Sequence, residues 1–510
     1  MKRGATPVAV LIALGTVAIA LLTGACAGPS YTIVNDPFDI AETTGAPDIS
    51  AIVDAGGGDV TLEGPLAMEA SDGIAVIGET LWIRGSSFGR QPTVEVGGRP
   101  AAVLGRTREG GLVVRVPAGT PTGSQPVVVS NEIGKSERPI TVRRYAAVLA
   151  PGSGQIGWAE VGVDGPIATG ATPVPGARWL ALSSDGRAAY VAESRGGTLD
   201  VIDLPAPGAP KVIYKLELGN AGGPVLALCA AARAQLLAVV RANDVVLVDT
   251  SSPLHPARSE PRAFPQAVRD ARIAAADLSP DGKLLAIATE AGNQVIILDL
   301  GPAGHTPIAS VLPIAPEVRE SILADLAFAP AGDTLWVLSG DTPRSAVVGP
   351  EPTELRAVRL TADSQTLVRL SAARVVEVPD AAAPLRLGVG RALPLASGAA
   401  IRLPPERNTV FFAASAHAGG ESRIFRVGSE DAATVTVASP ARVGRPDISP
   451  EGRWLLAPAA SPDGAVRVLA MAIDGRPAPA GATRPVDAVA AVAGEMPAAA
   501  RPAPELRIQP

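Results

Sequence analysis

The segment ARIAAADLSPDGKLLAIATEAGNQVIILDL, Ala271 to Leu300, is the feature that most limits what this chain can fold into. It reads as three short strands, Ile273–Leu278, Lys283–Glu290 and Gln294–Leu300. The turns between them are Ser279-Pro280-Asp281-Gly282 and Ala291–Asn293. Proline presets φ at the second position of the first turn, and glycine admits a positive φ at its end. The strands are aliphatic or β-branched and almost continuously apolar, the pattern of a sheet covered on both faces. Related units recur. The turn after each first strand falls at Ser183, Cys229, Ser279, Ala329, Pro404 and Ser449, in steps of 46, 50, 50, 75 and 45 residues. A unit of about 48 residues fits a four-stranded propeller blade with its loops.

The 75-residue step implies a long insertion in the blade that starts near Ile322, between Gly340 and Arg391. Tyr145–Ser153 aligns with Tyr190-Val-Ala-Glu-Ser, 45 residues later, and so reads as the second strand of an opening blade. Its first strand should then come from the far end of the chain. About one period beyond Ser449 lies the apolar run Asp487–Gly494 (DAVAAVAG). The expectation is a seven-bladed β-propeller over 144–494, closed by that run, because a closed ring leaves no exposed sheet edge. Residues 495–510, rich in Pro and Ala, are expected to be a disordered tail.

Composition agrees with a folded, turn-rich chain. Of 510 residues, 47% are apolar and 18% charged, with 54 Gly and 49 Pro but no G-x-y period. Only 3% are aromatic, so the cores must be built from Ala, Val, Leu and Ile. The net charge is −6, or −8 once Lys2 and Arg3 leave with a leader. No basic run is interleaved with aromatics, which argues against a nucleic-acid partner.

Lys2-Arg3, the apolar run Val8–Leu22 and Thr23-Gly24-Ala25-Cys26 form the three regions of an export signal. They resemble a bacterial lipoprotein signal peptide. Gly24, Ala25 and Cys26 fit the lipobox, while Thr23 stands where Leu is usual and Leu22 sits one place early. The resemblance implies a leader at 1–25, lipid attachment at Cys26 and a tether at 26–46. Ala27 after the cysteine would match outer-membrane sorting in a Gram-negative cell. Two alternatives remain open: cleavage after Ala25-Cys26-Ala27, releasing a soluble protein, and an uncleaved membrane anchor. If Cys26 is acylated, Cys229 has no disulfide partner. Inside the apolar run Val225–Ala232, Cys229 reads as a small buried hydrophobe.

Residues 47–143 read as one small β domain. Alternating strands at Thr80–Arg84, Thr93–Val96, Leu112–Val116 and Pro126–Ser130, with Gly/Pro turns between, indicate a sandwich. Gly85-x-x-Phe88-Gly89, Val94-x-Val96-Gly97-Gly98, Val116-Pro117-x-Gly119, Gly123, Val127–Val129, Asn131 and Gly134-x-Ser136 follow in order. By these residues the domain resembles the IPT/TIG family of immunoglobulin-like domains, which serve as spacers, partner-binding or dimerisation modules. The fold class expected for the whole chain is therefore all-β, a small immunoglobulin-like sandwich followed by the propeller. Tyr190-Val-Ala-Glu-Ser with Thr198–Leu204, and Val248-Asp249 with Pro253 and Pro256, resemble the YVTN-type and LVIVD-type propeller repeats. Those families include surface proteins, cytochrome-linked proteins and lactonases.

Several patterns could carry chemistry. Gly85–Gly89 satisfies G-x-S-x-G, but a nucleophile elbow needs a following helix and a His partner. Gly152-x-Gly154-x-x-Gly157 satisfies the dinucleotide fingerprint, but the strand-like Gln155–Val161 follows where a helix is required. Asp203, Asp249 and Asp299 end successive third strands; one carboxylate per blade reads as a turn cap rather than a metal site. His255 and His305 fall in equivalent loops and His417 at the opposite end, which excludes a three-His zinc site. Arg241, Asp281, Glu290 and Asp325 could face a central channel, as a lactonase-like propeller would need. No catalytic, cofactor or metal residue is assigned. The function expected is a lipid-anchored envelope protein, exported to the outer membrane or cell surface. It would be a non-catalytic binding platform for a protein or polysaccharide on its propeller loops. The alternatives are a lactonase-like hydrolytic propeller and a structural spacer.

Overall fold

A computed structural model describes residues 45–54, 73–149 and 154–301 with short breaks, and beyond 301 chiefly the strands and turns of the later sheets, through 505–508. The expected leader, Cys26 and most of the tether lie outside the described residues. The regular structure of the described residues is almost all β, with one short helix at Gln266–Arg269.

Nine strands begin it: β1 (Asp48–Asp54), β2 (Ile74–Val76), β3 (Thr80–Ser86), β4 (Thr93–Val96), β5 (Arg99–Ala101), β6 (Val103–Arg106), β7 (Leu112–Arg115), β8 (Gly123–Ser130) and β9 (Lys135–Leu149). They form two facing sheets, β1-β3-β7-β6 and β9-β8-β4-β5, with β2 parallel to β9. Alternation decides which side chains face inward. Val94 and Val96 are buried while Thr93 and Glu95 are exposed, and they meet Leu81, Ile83, Leu112, Val127 and Val129 in one core. The glycines explain the motif. A Cβ on Gly85 would overlap the Asp48 carbonyl, so only glycine lets β1 lie against β3 there. Gly97 and Gly98, at φ 58° and 73°, make the tight β4–β5 hairpin. Phe88 fills the core beneath Gly85.

The boundary expected at 143/144 falls inside a strand. β9 pairs with β8 from Lys135 to Val142. It then continues as a propeller strand, pairing from Arg144 to Leu149 with β10 (Gln155–Gly162), which pairs with β11 (Gly165–Pro173). The innermost strand of this first blade is Glu505–Ile508, antiparallel to β9 with Leu506 opposite Val148. Closure by the C-terminus therefore occurs, but not through Asp487–Gly494. Val486–Val489 is instead the outer strand on Val466–Ala472. An apolar run suits any strand position, so counting one period from Ser449 could not choose between them. The same observation corrects the disordered tail expected at 495–510, which contains the closing strand.

Among the described residues the strands after Arg144 fall into seven sheets, each an antiparallel meander. Their first strands run in the order Glu505–Ile508, Ala177–Leu182, Val225–Ala230, Ile273–Leu278, Ile322–Phe328, Ala381–Val389 and, shared by two short pieces, Arg442–Val443 and Asp447–Ile448. Glu505–Ile508 touches both Ala177–Leu182 and Asp447–Ile448, which brings the two ends of the series together. Cores form between sheets: Tyr190 and Val201 of one pack with Leu228 and Val239 of the next. Leu285 and Ile296 pack likewise against Ala238 and Val240.

One hydrogen-bonded turn repeats. The N–H of Ser183, Ala231, Ser279, Ala329 and Ser449 each donates to the carbonyl five residues on. The marker at Cys229 is thus two residues early. With Ala231 in its place, the intervals Ser183–Ala231 and Ala231–Ser279 are both 48 residues. The 75-residue step also has a different source from the expected insertion at 340–391. Thr353–Thr361 and Arg369–Val378 are the third and fourth strands of the sheet begun by Ile322–Phe328, and Ala381–Val389 opens the next. The extra length lies between Ala381–Val389 and Val410–Ala416, where Pro404 is outside the described residues. Arginines interrupt the apolar runs of these strands, which removed the signal used to find the others.

Candidate functional site

The described groups nominated for a channel are each held by bonds to nearby backbone or side chains. Arg241 and Asp244 flank the hairpin after Leu236–Arg241. They form a bidentate pair, Nε to Oδ1 at 2.6 Å and Nη2 to Oδ2 at 2.9 Å. Arg241 Nη1 donates to the carbonyls of Leu218 and Gly219 on the preceding blade. The guanidinium has no exposed surface and is a clamp between blades. Asp281 closes its own turn, accepting from Ser279 Oγ at 2.7 Å and from the Lys283 N–H at 3.2 Å. Asp325 is buried and accepts from the Leu326 N–H. Glu290 lies outside the described residues.

Two of the strand-end aspartates cap turns. Asp249 accepts from the Ser251 N–H at 2.8 Å and Asp299 from the Gly301 N–H at 2.9 Å. Asp203 is buried at the matching position. His255 is exposed, with its ring edge-on to Tyr214 at 5.9 Å. His305 and His417 lie outside the described residues. Among the described residues no group of three His, Cys, Asp or Glu could hold a metal. Ser87 has φ 58°, yet its loop leads from β3 into β4 with no helix. Gly154 likewise leads into β10, while Gly152 is outside the described residues.

The inner strands show an arrangement that sequence patterns do not carry. Each of four successive strands bonds through a side chain to the backbone of the next. Arg507 Nε donates to the Leu180 carbonyl at 3.3 Å, and Trp179 Nε1 to the Val225 carbonyl at 2.9 Å. Cys229 Sγ donates to the Ala276 carbonyl at 3.3 Å, and Asp277 Oδ2 accepts from the Phe328 N–H at 2.9 Å. Cys229 is thus buried as expected, but as a donor. An inner strand is a sheet edge, and these bonds give partners to backbone groups on it.

The sandwich–propeller junction is built from several buried contacts. Arg144, wholly buried on β9, donates from Nη2 to the Thr120 carbonyl of the sandwich at 2.8 Å. Arg143 pairs with Glu160 on β10 at 2.7 Å. Gly78, at φ 79°, lies on the backbone of the Gly186-Arg187 turn, with only about 3 Å left for a Cβ. Val76 packs with Tyr145, Trp158 and Leu180, so β2 is part of the first propeller core. Burial, then the carboxylates of Glu160 and Glu79, push the Tyr145 hydroxyl far above its ordinary range, so it stays neutral. Trp454 Nε1 of the last sheet donates to the Gly162 carbonyl at the end of β10 on the first blade. These contacts join the sandwich to the first blade.

Residues 70–141 match the IPT/TIG domain family, so the sandwich is an IPT/TIG domain. No curated protein is similar to the chain in sequence. Among solved structures, a Bacteroides fragilis protein provisionally named a 6-phosphogluconolactonase is 13% identical, with 72% of this chain and 98% of that one covered, at a TM-score of 0.44. The Swd1 β-propeller domain of Myceliophteria thermophila is 15% identical, covering 65% and 96%, at 0.41. An auxiliary nutrient binding protein from Bacteroides thetaiotaomicron is 12% identical, covering 82% and 96%, at 0.34.

Proposed function

We propose that the chain is a lipid-anchored bacterial envelope protein, a non-catalytic platform that presents propeller loops to a protein or polysaccharide partner. On this reading Cys26 carries the lipid, 26–46 is the tether, and the seven sheets are the blades of one seven-bladed ring. The observation that carries it is the passage of β9 through both domains, with Arg144 buried where they meet. A flexible joint would suit a protein that reaches for its target. A shared strand suits a mount that holds a surface at fixed height and angle. Blade cores made of Ala, Val, Leu and Ile leave the loops free to vary without cost to packing. Two or three acyl chains would hold the protein firmly, whereas one gives marginal affinity.

Labelled palmitate should enter the wild type and not Cys26→Ala. Equal labelling, or none in either, sinks the anchor. Photo-crosslinkers placed in the propeller loops of intact cells should capture one partner reproducibly. Hydrolysis of a lactone by the purified protein at enzymatic rates would replace the platform by the catalytic reading.

A further inference from the structure

We infer that the end of the IPT/TIG domain far from the propeller seats on a phospholipid surface, with Ile133 as the inserted side chain. The inference rests on the lipid-anchor reading above. The described chain comes into the sandwich at this end, and one side chain fixes it there. Asn131 Nδ2 donates to the carbonyls of Gly45 at 2.9 Å and Ser87 at 2.7 Å. Its Oδ1 accepts from the N–H groups of Ile133 at 2.8 Å and Gly134 at 2.9 Å. Gly134 lies so close to Ala46 that a Cβ would fall 2.8 Å from the alanine methyl. Gly45 is 19 residues from Cys26, a reach of at most about 65 Å when fully extended. A lipid on Cys26 would therefore pull on this end.

Ile133 stands at the apex of the turn and is 55% exposed, more than any other large apolar side chain among the described residues. The turn does not need it: Asn131 supplies the cap, and Gly134 the close approach. Arg90 and Lys135 are exposed at the same end, with Asp48 and Glu132 as the exposed acids. Ile133 stands between Glu132 and Gly134, and the two cations at this end are balanced by the two acids, so insertion of the apolar side chain at the headgroup boundary, rather than net charge, would carry the seating. The opposite end carries the propeller, through Gly78, Thr120 and the approach of Gly123 to Val163. Eight residues of β9, Lys135 to Val142, separate the ends, about 26 Å of strand. Seating on Ile133 would stand the propeller off the membrane by the length of the sandwich.

The test uses the full-length acylated protein in vesicles of phosphatidylethanolamine and phosphatidylglycerol. An environment-sensitive fluorophore is placed at Gln91→Cys, exposed at the same end with Ile133 intact, or at Tyr214→Cys on the propeller rim. Cys229 is buried and does not compete for label. The Gln91 probe should shift to the blue and be quenched by brominated lipid, the Tyr214 probe should do neither, and Ile133→Glu should reduce quenching at position 91. An unquenched Gln91 probe on protein that retains palmitate overturns the seating and leaves the anchor standing. Protein that never takes up palmitate removes the anchor and the seating together.

Discussion

Arg144 Nη2 and the carbonyl oxygen of Thr120 lie 2.8 Å apart across the joint between the two domains, and Arg144 has no exposed surface. Burying a guanidinium is costly unless it is partnered, and this bond supplies Arg144 with a partner on the far side of the joint. Arg144→Ala should cost about 2–4 kcal/mol by loss of a charged hydrogen bond and of packing. Calorimetry should then resolve two transitions where the wild type gives one. A single transition at an unchanged midpoint would show that β9 alone couples the domains.

The Arg241–Asp244 pair is the second buried charge whose loss is readable. Asp244→Ala leaves the guanidinium of Arg241 without its carboxylate and should cost about 3–5 kcal/mol in urea unfolding. The double variant Arg241→Met/Asp244→Leu removes both charges and should be much milder. If the single and double variants were equally destabilised, packing rather than charge would govern the clamp.

Closure of the ring is tested by ending the chain at residue 504. This removes the partner of β9 and the Arg507 bond to Leu180. Hydrogen exchange should quicken at Ala146–Leu149 and Ala177–Leu182, and stability should fall by on the order of 3 kcal/mol. Unchanged protection in β9 would return the closing role to another segment.

Asp281 should add a small pH-dependent increment. Burial alone would raise its pKa, but the Ser279 hydroxyl, the Lys283 N–H and the Lys283 charge outweigh it and hold it below 3.8. A depressed folded-state pKa contributes stability above the unfolded value, and that stability is lost as pH falls through the folded value. The side chain is 52% exposed, so a few tenths of a kcal/mol is expected. Asp281→Asn should match the wild type in the acid limit and trail it slightly at pH 6. An equal deficit at both pH values would assign the effect to turn geometry.

The family motif in the sandwich was legible because its residues are set by local sterics. Gly85 is demanded by one carbonyl, Gly97 and Gly98 by one hairpin, and Asn131 by one turn. The blades were legible where apolar runs and the Ser-x-Asp-Gly turn recur, and illegible at Thr353–Val389, where arginines break the runs. The inter-blade bonds of Trp179, Cys229, Asp277 and Arg507 had no signal, since each depends on a backbone group in another repeat.

The amino-acid order by itself determined the class, the family of the first domain and the spacing of the turns, because strand periodicity and turn chemistry act over a few residues. Only the tertiary structure decided which strand closes the series, where β9 stops being sandwich and becomes propeller, and what Arg144 and Arg241 hold. Those outcomes depend on pairing between segments as far apart as Leu149 and Glu505. Pairing is chosen by which edge is left open once all the other strands have been placed, and no local window contains that edge.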